Sequence, residues 1–160
     1  MLCPSRLAHP DDPAASEPEK PATEAPSLPA PERVWACRYD QVDVGQAPDG
    51  GPGHAWVRHG APREVAESDV GGLADAVAGL TPSDPSQMCT TDFGPRWLVV
   101  YPHDAGVVGV VVDDFGCRQV RLTDDPAGTA PGEASGSGIV SGVLDGGVDV
   151  LAAAGVGRAR

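Results

Sequence analysis

Aromatic residues are scarce in this chain: Trp, Tyr and Phe make up 4% of its 160 residues. The side chains that normally bring most area into a core are few, so burial must come from Val, Leu and Ala. Cations are scarce too, with Lys and Arg totalling 11 against 23 Asp and Glu, for a formal net charge of -12. The field of such a chain repels phosphate, which argues against DNA, RNA and anionic membranes as partners. No run reaches the roughly 18 apolar residues of a membrane-spanning helix. The longest candidate, residues 138–157, is interrupted by Asp145, Asp149 and several glycines. Catalytic and cofactor signatures are missing as well. There is no C-x-x-C pair, no H-E-x-x-H and no Walker loop, and no G-x-S-x-G surrounds Ser135, Ser137 or Ser141. Gly136-Ser137-Gly138 lacks a preceding strand and the full dinucleotide-loop spacing. No cofactor is implied.

What the chain has in quantity is turn residues, 21 Gly and 17 Pro. Eight of those prolines fall within residues 4–31, in a Pro/Ala/acidic stretch without apolar periodicity. Residues 1–32 therefore read as a disordered, partly polyproline II tether, residues 33–156 as one α+β domain and residues 157–160 as a tail. Within the domain, residues 33–40 alternate as a strand with Trp35, Cys37 and Tyr39 on one face. A turn-rich loop at residues 43–53 leads to a weaker strand at residues 54–63. Ser68 can cap a helix whose stripe is Val70, Leu73, Ala74, Val77 and Leu80, closed by Pro82. Residues 97–114 hold two β-branched runs separated by His103-Asp104-Ala105-Gly106 and form a hairpin, with Gly106 able to take the positive φ of its turn. Residues 117–123 extend the meander, and residues 139–154 repeat at helical spacing despite Gly142, Gly146 and Gly147. The order is β-β-α-β-β-β-α, an antiparallel sheet of about five strands with both helices on one face.

Four cysteines stand at widely separated positions. A hairpin turning at residues 104–106 puts Cys117 opposite a position near Phe93, a few residues from Cys89, so Cys89 and Cys117 are expected to pair. Cys3 and Cys37 then pair by elimination, fastening the N-terminus to the first strand. Four free thiols in a cytosolic protein is the competing reading. Two bridges closing such loops contribute on the order of 3 kcal/mol each in the chain-entropy model, a large share for a thin core. They imply an oxidising compartment. No apolar segment follows Met1, and Cys3 has no hydrophobic stretch before it for lipid attachment. The expectation is therefore an export signal upstream of Met1, or a chain that is a segment of a longer, anchored protein.

Candidate chemistry is thin. His103-Asp104 sits at a hairpin tip, where turn chemistry suffices. His54 and His59 are five apart and point to opposite faces of a regular strand. Asp113-Asp114 and Asp124-Asp125 flank the last strand of the meander and are either oxygen ligands or solvated loop. Arg38, Arg58, Arg118 and Arg121 form a cationic spot or pair with neighbouring aspartates. Trp35, Tyr39, Trp56, Trp97 and Tyr101 either line a groove for a glycan or peptide or fill the core.

Cys3-Pro4, the V-W-A-C-R-Y-D strand at residues 34–40, Cys89 ahead of a Val/Leu-rich hairpin, and D-D-F-G-C-R-Q-V at residues 113–120 together resemble small exported, envelope-associated domains of actinobacteria. The resemblance covers most of residues 33–123. Ten Arg against one Lys, with abundant Ala, Gly, Val and Asp, agrees with a high-GC genome. The resemblance implies export and carries no assigned activity or site residues. The leading expectation is a non-catalytic binding or accessory module outside the cytoplasm, stabilised by disulfides, with a protein or glycan partner on the sheet face away from the helices. The alternatives are a small hydrolase or metal-dependent enzyme built on the His and Asp groups at the sheet ends, and a cytosolic domain with free thiols.

Overall fold

The computed structural model describes residues 2–9, 20–46, 52–134, 136 and 138–157. The fold is α+β: one antiparallel sheet of seven strands with two helices. The strands are β1 (Trp35–Gln46), β2 (Pro52–Glu64), β3 (Thr81–Pro82), β4 (Arg96–His103), β5 (Gly106–Asp113), β6 (Val120–Thr123) and β7 (Leu144–Asp145); the helices are α1 (Glu67–Ala78) and α2 (Gly147–Ala153). Their order across the sheet is β2-β1-β4-β5-β6-β7-β3.

The predicted hairpin of β4 and β5 is the centre of the sheet, in register from His103↔Gly106 to Arg96↔Asp113. Gly106 takes φ 142° at its turn. β1 and β2 are longer than the alternation indicated, because they continue through most of the expected loop at residues 43–53, with a register shift next to Gly45 at φ 93°. Residues 47–51 of that loop lie outside the described set. The two additional strands, β3 and β7, are two residues each and pair only with one another and, through Leu144, with β6.

Both helices differ from their sequence patterns at the N-terminus. α1 begins at Glu67 behind Ala66, so Ser68 lies inside the helix and no side chain caps it; Glu67 and Asp69 supply the first-turn negative charge instead. α2 begins at Gly147, not at Ile139. Gly142 and Gly146 have φ of 91° and 120°, values outside the right-handed helix, so the chain ahead of α2 is a buried irregular segment leading into β7.

Each face of the sheet carries a core. On one, Val99, Tyr101, Val108, Val110, Val112 and Leu122 pack against Leu73 and Val77 of α1 and Val150 and Leu151 of α2. On the other, Cys37, Tyr39, Leu98, Val100 and Val111 pack with Trp56, Cys3 and Leu7. From the sequence this second face is expected to be uncovered and residues 1–32 to be free. Instead, residues 2–9 lie on it. Leu7 donates from its N–H to the Trp56 carbonyl at 3.1 Å, and the Arg58 N–H donates to the Ser5 carbonyl at 2.9 Å, an added strand-like pairing on the outer edge of β2. Residues 20–31 run along the helix-bearing side, where Lys20 and Ala22 exchange backbone hydrogen bonds with Val143, both at 2.9 Å. An extended Pro-rich segment has no internal hydrogen bonds, so its carbonyls are free to accept from the domain. Residues 10–19 of the expected tether and residues 158–160 of the expected tail lie outside the described residues.

Both expected disulfides are present. Cys3–Cys37 spans 6.4 Å and Cys89–Cys117 spans 4.9 Å between Cα atoms, inside the ordinary range. No cysteine is free, which overturns the free-thiol alternative.

Candidate functional site

A cleft of about 650 Å³ opens where β1 and β2 run on past the last β1–β4 pair, Tyr39↔Arg96. One wall is Arg38, Asp40 and Gln41 of β1; the other is Asp92, Phe93, Gly94 and Pro95 leading into β4, with Trp56 and Phe115 at its base. Trp56 and Phe115 are stacked, ring centroids 6.0 Å apart and planes inclined by 9°. On β4, Arg96 places its guanidinium 4.5 Å from the Trp56 ring centroid, a cation–π contact in a desolvated setting.

Beneath the aromatic pair lies a buried ionic cluster. Arg96 Nε donates to Asp113 Oδ1 at 2.7 Å and Arg121 Nη1 donates to Asp113 Oδ2 at 3.0 Å, with all three side chains at most 7% exposed. Strand register explains it. Arg96 faces Asp113 across the hairpin, while Arg121 of β6 pairs with Val111, two positions along β5 from Asp113. Burial leaves these charges few ways to reorient, so the cluster holds the base of the cleft rigidly.

The wall at residues 83–95 has no regular secondary structure, and the Cys89–Cys117 bridge ties it to the turn after β5. Asp92 fastens it again, accepting from the Thr90 hydroxyl and from the Gly116 N–H at 3.0 Å; these bonds hold its carboxyl below the usual carboxylate range. The Ser86 hydroxyl and N–H act likewise on Asp84. On this pinned loop Phe93 is 87% exposed and Met88 is 97% exposed.

The five aromatic residues do not share one groove. Trp35, Tyr39 and Trp56 belong to the face that carries residues 2–9, whereas Trp97 and Tyr101 belong to the helix-bearing face. Trp56 alone of the five lines the cleft. The four arginines are dispersed too. Arg38 pairs with Asp40 at 3.0 Å, Arg58 donates to the Cys3 carbonyl at 2.6 Å, Arg118 to the Gly116 carbonyl at 2.8 Å, and Arg121 joins the buried cluster. Arg96, Phe93 and Phe115 were not singled out from sequence. For Arg96 the available signal was its place opposite Asp113 in the hairpin register.

The groups proposed for an enzyme are spread out. His103 accepts from the Ala105 N–H at the hairpin tip, the far end of β5 from Asp113. His59 is a surface residue 3.2 Å from Asp40, and His54 pairs with Asp43 further along β1. The Asp125 carboxylate accepts from the Gly128 N–H of its own turn. Among the described residues no group of three or more His, Cys, Asp or Glu side chains is placed to hold a metal ion. Ser135 and Ser137 lie outside the described residues. No helix among the described residues is long and apolar enough to cross a membrane. Comparisons with models of protein families, with curated proteins and with solved structures return no match to this chain.

Proposed function

We propose that this chain is a non-catalytic, disulfide-stabilised binding module that works outside the cytoplasm, at a bacterial envelope, and that the aromatic cleft takes a neutral glycan. The observation that carries the reading is the exposed Phe93 ring held opposite Arg38, Asp40 and Gln41. A sugar offers an apolar C–H face that lies on an aromatic ring and vicinal hydroxyls that suit planar, multi-atom donors and acceptors. The acidic chain disfavours anionic polymers, and so does the cleft itself, where the Arg38–Asp40 pair neutralises the β1 wall and Asp92 adds a negative charge on the other. Two disulfides fit an oxidising location and a module that must keep its shape there.

The test is calorimetric titration of the oxidised chain with soluble hexasaccharides of β-linked glucose and of N-acetylglucosamine. Saturable binding that weakens about three- to tenfold in Phe93→Ala is expected, the range of one aromatic contact. Absence of saturable binding to both sugars sinks the glycan assignment. A second reading, a protein partner, is favoured by Met88, which is exposed on the same pinned loop.

A further inference from the structure

A second concavity lies on the helix-bearing side and shares no lining residue with the aromatic cleft. It is a cavity of about 380 Å³ between α1 and the strap formed by residues 26–31. The floor is Val99 and Tyr101 of β4, and the helix contributes Leu73, Ala74, Val77 and Ala78.

The sequence explains why this space stays open. Ala74 and Ala78 are one helical turn apart, so the helix offers its smallest side chains under the strap. The strap cannot collapse onto them easily. Pro26, Pro29 and Pro31 fix the local backbone and supply no N–H donors. It is also held at separate points: the Ser27 N–H donates to the Gly138 carbonyl at 3.0 Å, and the Tyr101 hydroxyl donates to the Pro29 carbonyl at 3.0 Å. A stiff roof anchored over small residues makes a cavity that exists before any ligand arrives, within the size range of small-molecule sites. An apolar cavity of about 150 Å³ takes one benzene, so this volume suits an apolar body of about two rings or a chain of comparable bulk.

The polar groups define the other end of the ligand. Asp75 is the one charged residue among the described residues that line the cavity, and it is exposed; no Lys, Arg or His lines it. The Tyr101 proton is committed to Pro29. An anionic head would meet Asp75 and the field of a chain with net charge -12, whereas an ammonium would be favoured by both. We infer that the cavity between α1 and the proline strap is a binding site for a small amphiphile with an apolar body and a cationic, amine-type head.

The test uses the full oxidised chain and three probes of equal chain length below their micellar concentrations: nonylamine, nonanol and nonanoate. The amine is expected to bind saturably, one per chain, and to raise the melting temperature. Nonanol should bind about two- to fivefold more weakly, the worth of one partly exposed charge contact, and nonanoate more weakly still. Ala74→Leu fills the cavity and should abolish binding of all three, while Asp75→Asn should bring the amine to the level of the alcohol and leave the alcohol unchanged. Phe93→Ala, in the other cleft, should alter none of them, which separates this site from the glycan proposal. Equal affinity for the three probes in the unmodified chain, or amine binding indifferent to both cavity variants, overturns the inference. If Ala74→Leu does not fold, the surface variant Asp75→Asn decides alone.

Discussion

Tyr39 and Tyr101 perform the same task on opposite faces of the sheet. Each donates its hydroxyl to a proline carbonyl of the N-terminal segment, Tyr39 to Pro4 at 2.7 Å and Tyr101 to Pro29 at 3.0 Å. Burial pushes both phenols from the ordinary 10.0 up to about 12, with Arg58 pulling the other way on Tyr39. Below about pH 10 the phenols are protonated whether the chain is folded or not, and their contribution to stability is fully present. Between about pH 10 and about 12 the unfolded chain releases these protons while the folded chain retains them, so stability falls and the contribution is lost as pH passes the folded value. The chain has only these two tyrosines, so its tyrosinate absorbance reads no other residue. A spectrophotometric titration of the native protein should show ionisation near pH 12, and one in concentrated urea should show it near 10. Half of the native signal appearing near pH 10 would mean that one of the two contacts with the N-terminal segment is not made.

Among the secondary-structure elements, glycine separates what the helices tolerate from what the turns require. Gly71 and Gly72 sit in exposed positions of α1, with no atom within 4 Å of an added Cβ. Alanine at either should stabilise by roughly 0.5–1 kcal/mol, about 2–4 °C in melting temperature at the upper end. Gly142 is the opposite case. Its φ is 91°, and an added Cβ would lie 2.8 Å from both the Ala22 nitrogen and the Lys20 oxygen. Gly142→Ala should cost at least the roughly 1–2 kcal/mol of a left-handed residue and should loosen the pairing of residues 20–22 with Val143. Thermal melts of the three variants check both signs; a neutral Gly142→Ala would mean that residues 20–22 are not docked on Val143. The same contrast explains what the sequence revealed about the elements. The β4–β5 hairpin was legible because two β-branched runs flank a single competent turn, and α1 because its stripe is uninterrupted. The helical period across residues 139–154 was misleading because it ignored the φ that Gly142 and Gly146 adopt. β3 and β7, at two residues each, are too short to carry any period.

For the molecule as a whole, the chain that composition marked as a tether wraps both faces of the domain wherever it is described. Hydrophobic periodicity could not register this, because the wrapping uses isolated residues, Cys3, Leu7 and Ala22, and carbonyls that a polyproline-like backbone leaves open. The cysteines did register it, through the pairing of Cys3 with Cys37 over 34 residues. The aromatic cleft was less legible still, since Phe93 and Phe115 come together with Trp56 only through the buried Arg96–Asp113–Arg121 cluster and the Cys89–Cys117 bridge. The two disulfides therefore divide the molecule's work, and removing them one at a time should give different failures. Replacing Cys3 and Cys37 with Ala removes about 3–4 kcal/mol in the chain-entropy model and frees residues 2–9 from the sheet. Leu7 and Arg58 then lose their cross-strand partners on the outer edge of β2, and Trp56 and Tyr39 lose their cover. An uncovered edge with apolar side chains beside it invites pairing with a second copy. Size-exclusion chromatography should show concentration-dependent association in this variant, and amide exchange should quicken at residues 5–7 and 56–58. Replacing Cys89 and Cys117 removes a similar amount of stability but leaves the β2 edge protected. That variant should stay monomeric at concentrations where the first one associates, while losing glycan binding as the wall carrying Phe93 loosens. The same association in both variants, or in neither, would show that residues 2–9 do not guard the edge.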